Sequence, residues 1–202
     1  MRIAVIGTSG AGKTTLSKRL AVVLDLPFIE LDALHWEADW QALTHTNPME
    51  FARRVDEATA GPCWIADGNY RLARAYTWER ATHLIWLDYS RKLIMVRVVR
   101  RTLSRAILRT RMWSGNVERW THLLRPSHPI RWAWRTWRQL QAEYAVLLAS
   151  EEYAHLVVHR VRRPAELNEV IHALVVCRNG LNAAHLSRAT GAAGERSVAG
   201  RG

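Results

Sequence analysis

The stretch Gly7-Thr8-Ser9-Gly10-Ala11-Gly12-Lys13-Thr14 decides the fold of this chain. It satisfies the pattern G-x-x-x-x-G-K-[ST] at every fixed position. An apolar run of strand length, residues 3–6, leads into it, and a stretch of helical character, residues 13–24, follows it. The glycines allow successive backbone N–H groups to point at one anion, and the N-terminus of the helix attracts the same negative charge. The stretch therefore predicts a phosphate-binding loop of the Walker A type.

The residues of this loop form a predicted site for ATP and Mg²⁺. We expect Lys13 to reach the β- and γ-phosphate oxygens and the Thr14 hydroxyl to ligate Mg²⁺. An ordinary glycine-rich turn is the alternative, but it would not require a match at every fixed position. The predicted nucleotide-binding residues are Gly7, Thr8, Ser9, Gly10, Ala11, Gly12, Lys13, Thr14 and Thr15.

Length and composition fit one domain. The chain has 202 residues, of which 49% are hydrophobic, and this excludes a chain that is disordered throughout. Its two cysteines, Cys63 and Cys177, are far apart and lack the spacing of metal ligands, which argues against a disulfide scaffold and a zinc site. The apolar run at 3–6 is too short for a secretion signal or a membrane span. We therefore expect a cytoplasmic protein without a membrane partner.

Apolar runs of strand length alternate with amphipathic stretches along the chain. This alternation predicts an α/β fold of the P-loop NTPase type, with a five-stranded parallel sheet flanked by helices. Because the strands are short and apolar, we expect them to be buried on both faces. The predicted strands are 3–6, 28–31, 63–66, 83–87 and 155–159, and the predicted helices are 13–24, 48–60, 71–81, 90–110, 130–150 and 164–176.

Two further segments interrupt this pattern. Residues 111–129 break the helical periodicity with Ser114-Gly115-Asn116 and two prolines, which predicts an inserted lid between two basic helices. Residues 177–202 contain few large apolar side chains, so we expect a disordered tail. The predicted domain therefore spans 1–176.

Three aspartates follow predicted strands, where ligands bind to open parallel sheets. Asp67 opens Asp67-Gly68-Asn69-Tyr70-Arg71 and is a candidate to hold a Mg²⁺-bound water, the alternative being a helix cap. Asp32 precedes His35 and Trp36 and is open to either interpretation. Asp88 precedes a basic helix, and a cap is the preferred interpretation there.

These blocks together resemble a known group of proteins. The phosphate loop, Leu31-Asp32-Ala33-Leu34-His35-Trp36, Trp64-Ile65-Ala66-Asp67-Gly68-Asn69-Tyr70 and Trp86-Leu87-Asp88 resemble the adenylate-kinase-related bacterial proteins often labelled DNA topology modulation proteins. The runs Trp113-Ser114-Gly115-Asn116-Val117-Glu118 and Ile130-Arg131-Trp132-Ala133-Trp134 are also similar, so the resemblance covers roughly residues 1–160. It implies a nucleoside-monophosphate-kinase fold with a mobile, arginine-rich helical lid.

The same resemblance implies roles for particular residues. Adenylate kinases carry Asp-Gly-Phe-Pro-Arg where this chain has Asp67-Gly68-Asn69-Tyr70-Arg71, so Asp67 is expected to organise metal-bound water and Arg71 to contact phosphate. The departure at Asn69 and Tyr70 opens the question of whether AMP is the acceptor. In small-molecule kinases of the same superfamily an acid after the second strand contacts the acceptor hydroxyl, and Asp32 is similar in position. With His35 and Trp36, it is expected to form the acceptor pocket.

Positive charge is concentrated in one segment. Residues 91–138 hold 13 Lys or Arg against one acid, Glu118, while the whole chain carries a net charge of +11, so the partner should be anionic. Arg97, Arg100, Arg101 and Arg105 recur at helical spacing; of these, Arg100, Arg101 and Arg105 are the candidate catalytic groups, together with Lys13 and Asp67. A solvated helix face is the alternative. A second row, Arg131, Arg135 and Arg138, follows the predicted lid.

Tryptophans accompany these arginines. Five of the ten fall in residues 91–138, where they would either stack the bases of a nucleic acid or pack in the core. Trp134 and Trp137 are three residues apart on one predicted helix, which favours packing.

The sequence therefore predicts a Mg²⁺-dependent ATP:acceptor phosphotransferase whose acceptor is a small molecule or a nucleotide. The alternative is a nucleic-acid-binding protein that ATP regulates, although no DNA-reading motif is present. No metal site beyond nucleotide-borne Mg²⁺ is predicted.

Overall fold

A computed structural model of the chain describes residues 1–108, 112–116 and 129–181, and the structural statements that follow concern these ranges. Most of the predicted lid, residues 117–128, and most of the predicted tail, residues 182–202, lie outside them. Within the described ranges, no helix is both long enough and apolar enough to cross a lipid bilayer.

Five parallel strands form one sheet, as the sequence predicts. They are β1 (Arg2–Gly7), β2 (Phe28–Glu30), β3 (Trp64–Asp67), β4 (His83–Leu87) and β5 (Val157–Val161). Their order across the sheet is β2-β3-β1-β4-β5, with every neighbouring pair parallel. The α/β fold with a five-stranded parallel sheet is thus confirmed.

The helices of the described chain connect these strands. They are α1 (Lys13–Leu24), α2 (Leu31–His35), α3 (Leu43–Thr46), α4 (Pro48–Ala58), α5 (Arg74–Thr77), α6 (Arg91–Leu108), α7 (Pro129–Leu147) and α8 (167–181). The short helices α2 and α3 were not predicted, because segments of four or five residues are too short to show a helical period. The helix predicted at 71–81 is a 3₁₀ turn, Arg71–Ala73, followed by α5.

Helices cover both faces of the sheet because alternate residues of a strand point to opposite sides. Ile3 and Val5 of β1 pack with residues of α1 and α6, among them Leu16 and Val98. Ala4 and Ile6 point the other way, into a cluster whose members are Trp64, Trp78, Leu84, Trp86, Tyr144, Tyr153 and Leu156. Two apolar layers therefore hold β1 and the loop that follows it.

The last strand departs from the prediction. It begins two residues later than expected, and it is an edge strand on which Val157 is 51% exposed and Val158 37% exposed. Burial on both faces is therefore wrong for β5. Only its last residue, Val161, is fully buried.

The final helix extends beyond the predicted domain boundary. Helix α8 runs through residue 181 instead of ending at 176. Ile171 and Leu174 bury their side chains in the cluster that contains β1, and Val175 packs against it. These contacts attach α8 to the core.

Candidate phosphate and acceptor site

The site is built at the edge of the sheet where parallel strands end together. Glu30 of β2 lies opposite Asp67 of β3 in the ladder, and Val5 of β1 also pairs with Asp67. On the other side of β1, Gly7 pairs with Leu87 of β4. The phosphate loop and the predicted acidic residues consequently meet at one edge.

Gly7 is where the chain leaves the sheet and enters the loop. Its φ is +147°, and a Cβ at this position would lie 2.8 Å from the carbonyl oxygen of Leu87. Only glycine permits both this backbone angle and this close approach of β1 to β4.

The loop leads directly into the N-terminus of α1. The Ala11 N–H donates to the Thr8 carbonyl at 3.0 Å, and the Leu16 N–H donates to the Gly12 carbonyl at 3.0 Å. Gly12 occupies the N-cap and supplies no capping side chain. The first N–H groups of this 12-residue helix therefore face the loop without a side-chain cap, as an anion site requires.

The side chain of Lys13 folds back onto the first residue of the loop. Its Nζ donates to the Gly7 carbonyl at 3.0 Å. Burial lowers the pKa of Lys13, while the carboxylates of Asp67 and Asp32 oppose this shift and the Arg101 guanidinium adds to it. The ammonium group thus lies between the acidic edge of the sheet and the arginines of α6.

Two arginines of α6 contact the loop. Arg97 donates from Nη1 to the Ala11 carbonyl at 3.1 Å, and Arg101 donates from Nη2 to Ser9 Oγ at 3.0 Å. They are four residues apart and therefore share one face of the helix. The Arg97 guanidinium also lies 5.0 Å from the centre of the Tyr89 ring.

The remaining candidate arginines are placed differently. Arg100 is exposed, because it projects from another face of α6, and Arg105 is half-buried. Arg105 lies near enough to Glu30 to lower the pKa of that carboxyl. In the second row, the side chains of Arg131, Arg135 and Arg138 are all exposed, and so is Arg71.

Asp67 is the deepest acid of the site. It is 3% exposed, and its Oδ2 has no hydrogen-bond partner among the described residues. Burial raises the pKa of Asp67 to about 6, although Lys13 and a side-chain hydrogen bond with Thr14 act in the opposite direction. A buried carboxylate oxygen without a donor, beside the threonine of the loop, fits the requirements of a Mg²⁺ ion and its water.

Asp32 follows β2 and is held by a tyrosine. The Tyr70 hydroxyl donates to Asp32 Oδ1 at 2.5 Å. Burial raises the pKa of Tyr70, as does the Asp32 carboxylate. Glu30 is close by, and burial together with Asp32 raises the pKa of Glu30. Three carboxylates therefore occupy the ends of β2 and β3.

His35 packs among aromatic rings beneath this edge. It is 3% exposed, and its ring centre lies 4.5 Å from those of Trp36 and Tyr70 and 5.4 Å from that of Phe51. Burial lowers the pKa of His35 to about 4, so the imidazole is neutral near pH 7. Trp36 is half-buried at the end of α2. The structure thus places His35 in the packing that supports Tyr70.

Asn69 is a site residue that the sequence did not assign. Its Nδ2 donates to the Gly7 carbonyl at 2.6 Å, and its Oδ1 accepts from the Gly7 N–H at 3.2 Å. The preceding Gly68 has φ +151°, and a Cβ there would lie 2.8 Å from Leu31 Cβ. The only sequence signal was the departure at Asn69 from the adenylate-kinase pattern.

The described part of the predicted lid, residues 112–116, contacts the acceptor side. Asn116 is 6% exposed; its Oδ1 accepts from the Trp40 N–H at 3.0 Å, and its Nδ2 donates to the Glu37 carbonyl at 2.8 Å. Ser114 Oγ donates to the Trp36 carbonyl at 2.7 Å. The segment that follows Asp32 is thereby joined to the segment that follows α6.

Two predictions, for Asp88 and for Trp134, are wrong. Asp88 does not cap α6: its Oδ2 accepts from Arg160 Nε and Nη2 at 2.8 and 2.7 Å, and its Oδ1 accepts from Gln141. Trp134 is 55% exposed and lies under the guanidinium of Arg91 at 3.3 Å, so it does not share a packed face with Trp137. Trp137 packs against the core and donates from Nε1 to the Tyr89 carbonyl at 3.0 Å.

Comparisons with known proteins support the fold. No protein-family model matches the chain, and no curated protein matches it in sequence. A gluconokinase structure from Sinorhizobium meliloti 1021 aligns with a TM-score of 0.50 and 18% identity, covering 93% of this chain and 96% of that one. A shikimate kinase from Acinetobacter baumannii, in complex with shikimate, aligns with a TM-score of 0.51 and 15% identity, covering 86% and 90%. At such identities the similarity establishes the fold alone.

Proposed function

We propose that this protein is an ATP-dependent, Mg²⁺-requiring phosphotransferase that transfers a phosphoryl group to a hydroxyl group of a small molecule or to the phosphate group of a nucleotide. One observation carries the proposal. Lys13, Arg97 and Arg101 meet around the phosphate loop at the same sheet edge as the unpartnered oxygen of Asp67 and the tyrosine-held Asp32. Such a reaction needs cationic side chains that bind the phosphates. It also needs acidic side chains that hold the metal and orient the acceptor.

The loop residues would hold the nucleotide. The N–H groups of the loop and of the first turn of α1 would bind phosphate oxygens, with Lys13 adding a positive charge. Thr14 and, through water, Asp67 would hold Mg²⁺, which neutralises phosphate charge when bound. Arg101 would stabilise charge on the transferred group, and Arg105 would approach it from the next turn of α6.

Asp32 would orient the acceptor. Because Tyr70 fixes one carboxylate oxygen, the group has a defined direction in which to accept a hydrogen bond from the acceptor hydroxyl. Trp36 and the packing around His35 would shape the pocket, and Arg71 would lie at its exposed side. The similar structures, a gluconokinase and a shikimate kinase bound to shikimate, support a small hydroxyl-bearing acceptor.

A second function has one observation in its favour. The exposed Trp134 and the half-buried Arg91 form an aromatic–guanidinium pair beside the exposed arginines of α7, as on a nucleic-acid-binding surface. This agrees with the topology-modulation resemblance and supports an ATP-regulated nucleic-acid-binding protein as the alternative. The phosphotransferase is preferred because Arg97 and Arg101 contact the phosphate loop.

The test measures ADP release from MgATP with D-gluconate, shikimate, AMP or no acceptor. We expect an acceptor-dependent rate that Lys13→Ala abolishes together with ATP binding, while the exposed control Lys92→Ala retains both. Melting temperatures establish that the variants fold. Tight ATP binding without transfer to any of these acceptors would favour the nucleic-acid alternative.

A further inference from the structure

Asn69 makes two hydrogen bonds to a single residue that is distant in sequence. Its side-chain amide bonds both the carbonyl and the N–H of Gly7, across a separation of 62 residues. This arrangement fixes the first residue of the phosphate loop to the segment that follows β3. Both bonds are to the backbone of Gly7, so any effect that they have on nucleotide binding passes through Gly7.

The Gly7 carbonyl is shared by two donors. Asn69 Nδ2 approaches it at 2.6 Å and Lys13 Nζ at 3.0 Å. A carbonyl oxygen has two lone pairs, so both donors are accommodated at once. Gly7 itself is buried, which makes the loss of a partner there more costly than at the surface.

A Lys13 ammonium group that turns to phosphate oxygens would lengthen or break its bond to this carbonyl. If Lys13 were its sole donor, that movement would leave a buried carbonyl unsatisfied, at a cost of about 1–3 kcal/mol. The Asn69 amide stays on the carbonyl and keeps it hydrogen-bonded. The free-energy cost of moving the ammonium group from the carbonyl to the nucleotide is then smaller.

We propose that Asn69 is a positioning residue for nucleotide binding: its amide holds the Gly7 carbonyl so that Lys13 can transfer from the protein backbone to the phosphates. The inference rests on the proposed nucleotide site and extends it to a residue that bonds the backbone of the phosphate loop. The required chemistry is specific, because the group at position 69 must donate a hydrogen bond to the carbonyl.

Two substitutions at Asn69 and one control distinguish the loss of the hydrogen-bond donor from a change in packing. Asn69→Leu is similar in size and removes both bonds. Asn69→Asp retains an acceptor for the Gly7 N–H, but its carboxylate faces the carbonyl without a proton. Asn47→Asp is the matched control, because Asn47 caps α4 through Oδ1 and an aspartate performs the same capping.

The experiment measures ATP affinity by calorimetry without Mg²⁺ at pH 8, with melting temperatures as a check on folding. We expect Asn69→Leu and Asn69→Asp to bind ATP about tenfold more weakly than the unmodified protein at pH 8. The carboxylate of Asn69→Asp cannot donate to the carbonyl, so this variant should bind no better than Asn69→Leu. Asn47→Asp should match the unmodified protein.

Two results overturn the inference. One is a folded Asn69→Leu variant that binds ATP as tightly as the unmodified protein. The other is a folded Asn69→Asp variant that binds ATP as tightly as the unmodified protein, since its carboxylate cannot donate to the Gly7 carbonyl. Absence of ATP binding by the unmodified protein would overturn the proposed function as well, so the two failures are distinguishable.

Discussion

Tyr70 and Asp32, 38 residues apart in the sequence, are joined by a hydrogen bond of 2.5 Å from the phenol to the carboxylate. Tyr70 directly follows Asn69, which holds Gly7. One dipeptide after β3 therefore contacts both the phosphate loop, through Asn69, and Asp32 of the proposed acceptor site, through Tyr70.

This arrangement predicts the effect of Tyr70→Phe. Without the phenol, Asp32 loses a charge-assisted donor, so we expect the KM for the acceptor to rise or kcat to fall by about tenfold. The affinity for ATP should change little, because Tyr70 contacts Asp32 and not the loop. Steady-state kinetics and calorimetry measure both quantities. Tyr76→Phe, in the same apolar cluster, is the control; an equal loss in both variants would contradict the assignment.

The raised pKa of Asp67 predicts that the stability of the protein depends on pH in an unusual way. Its pKa is raised from 3.8 to about 6, so between about pH 4 and pH 6 the folded protein binds a proton that the unfolded chain releases. The contribution of Asp67 to stability therefore falls as pH rises through this window. Replacement by asparagine should increase the free energy of unfolding at pH 7.5 by about 1–3 kcal/mol and have little effect near pH 4.

Chemical denaturation of Asp67→Asn and the unmodified protein across this pH range measures the difference. His35 titrates with the opposite sign, because burial lowers its pKa to about 4, but it contributes equally to both proteins. Asp39→Asn is a suitable control, since Asp39 is exposed and its φ of 56° is one that asparagine tolerates. A less stable Asp67→Asn at pH 7.5 would show that the carboxylate is stabilising. The variant should also lose Mg²⁺-dependent ATP binding.

The sequence predicted those parts of the site that are local or that follow from parallel strands. The octapeptide from Gly7 to Thr14 is contiguous, so its motif was sufficient to predict the loop and α1. Asp32 and Asp67 were expected near one another because each follows a strand, and parallel strands end at one edge.

The missed features depend on contacts between distant residues. Asn69 is 62 residues from Gly7, and Asn116 is 76 residues from Trp40. Asparagines in loops are common, and no local pattern distinguishes these two from turn residues. The interpretation of Asp88 as a cap was wrong for the same reason: its partner Arg160 is 72 residues away.

The two neighbouring arginines of α6 should differ in importance. Arg101 contacts Ser9 of the loop, whereas Arg100 is exposed. We expect Arg101→Ala to lower kcat by about 100-fold or more, with a smaller effect on ATP affinity, because the transferred charge is stabilised mainly in the transition state. Arg100→Ala should have a much smaller effect, and Lys92→Ala on the same helix should have none. Equal losses for Arg100→Ala and Arg101→Ala would argue against this geometry.

Salt dependence distinguishes the phosphotransferase from the nucleic-acid-binding alternative. Each phosphate of a duplex that the protein neutralises releases counterions, so log affinity falls with log salt by about 0.9 per contact. If the basic segment 91–138 lay along DNA, six or more contacts would give a slope steeper than about −5. A site that encloses one triphosphate offers few such contacts. We therefore expect weak duplex binding with a shallow slope, and we expect MgATP to displace the duplex by engaging Arg97 and Arg101.

The measurement is duplex affinity from about 50 to 200 mM salt, with and without MgATP. The variant Trp134→Ala tests whether the pair that the exposed Trp134 forms with Arg91 contributes to duplex binding. A steep slope that MgATP leaves unchanged and that Trp134→Ala weakens would make nucleic-acid binding the better assignment.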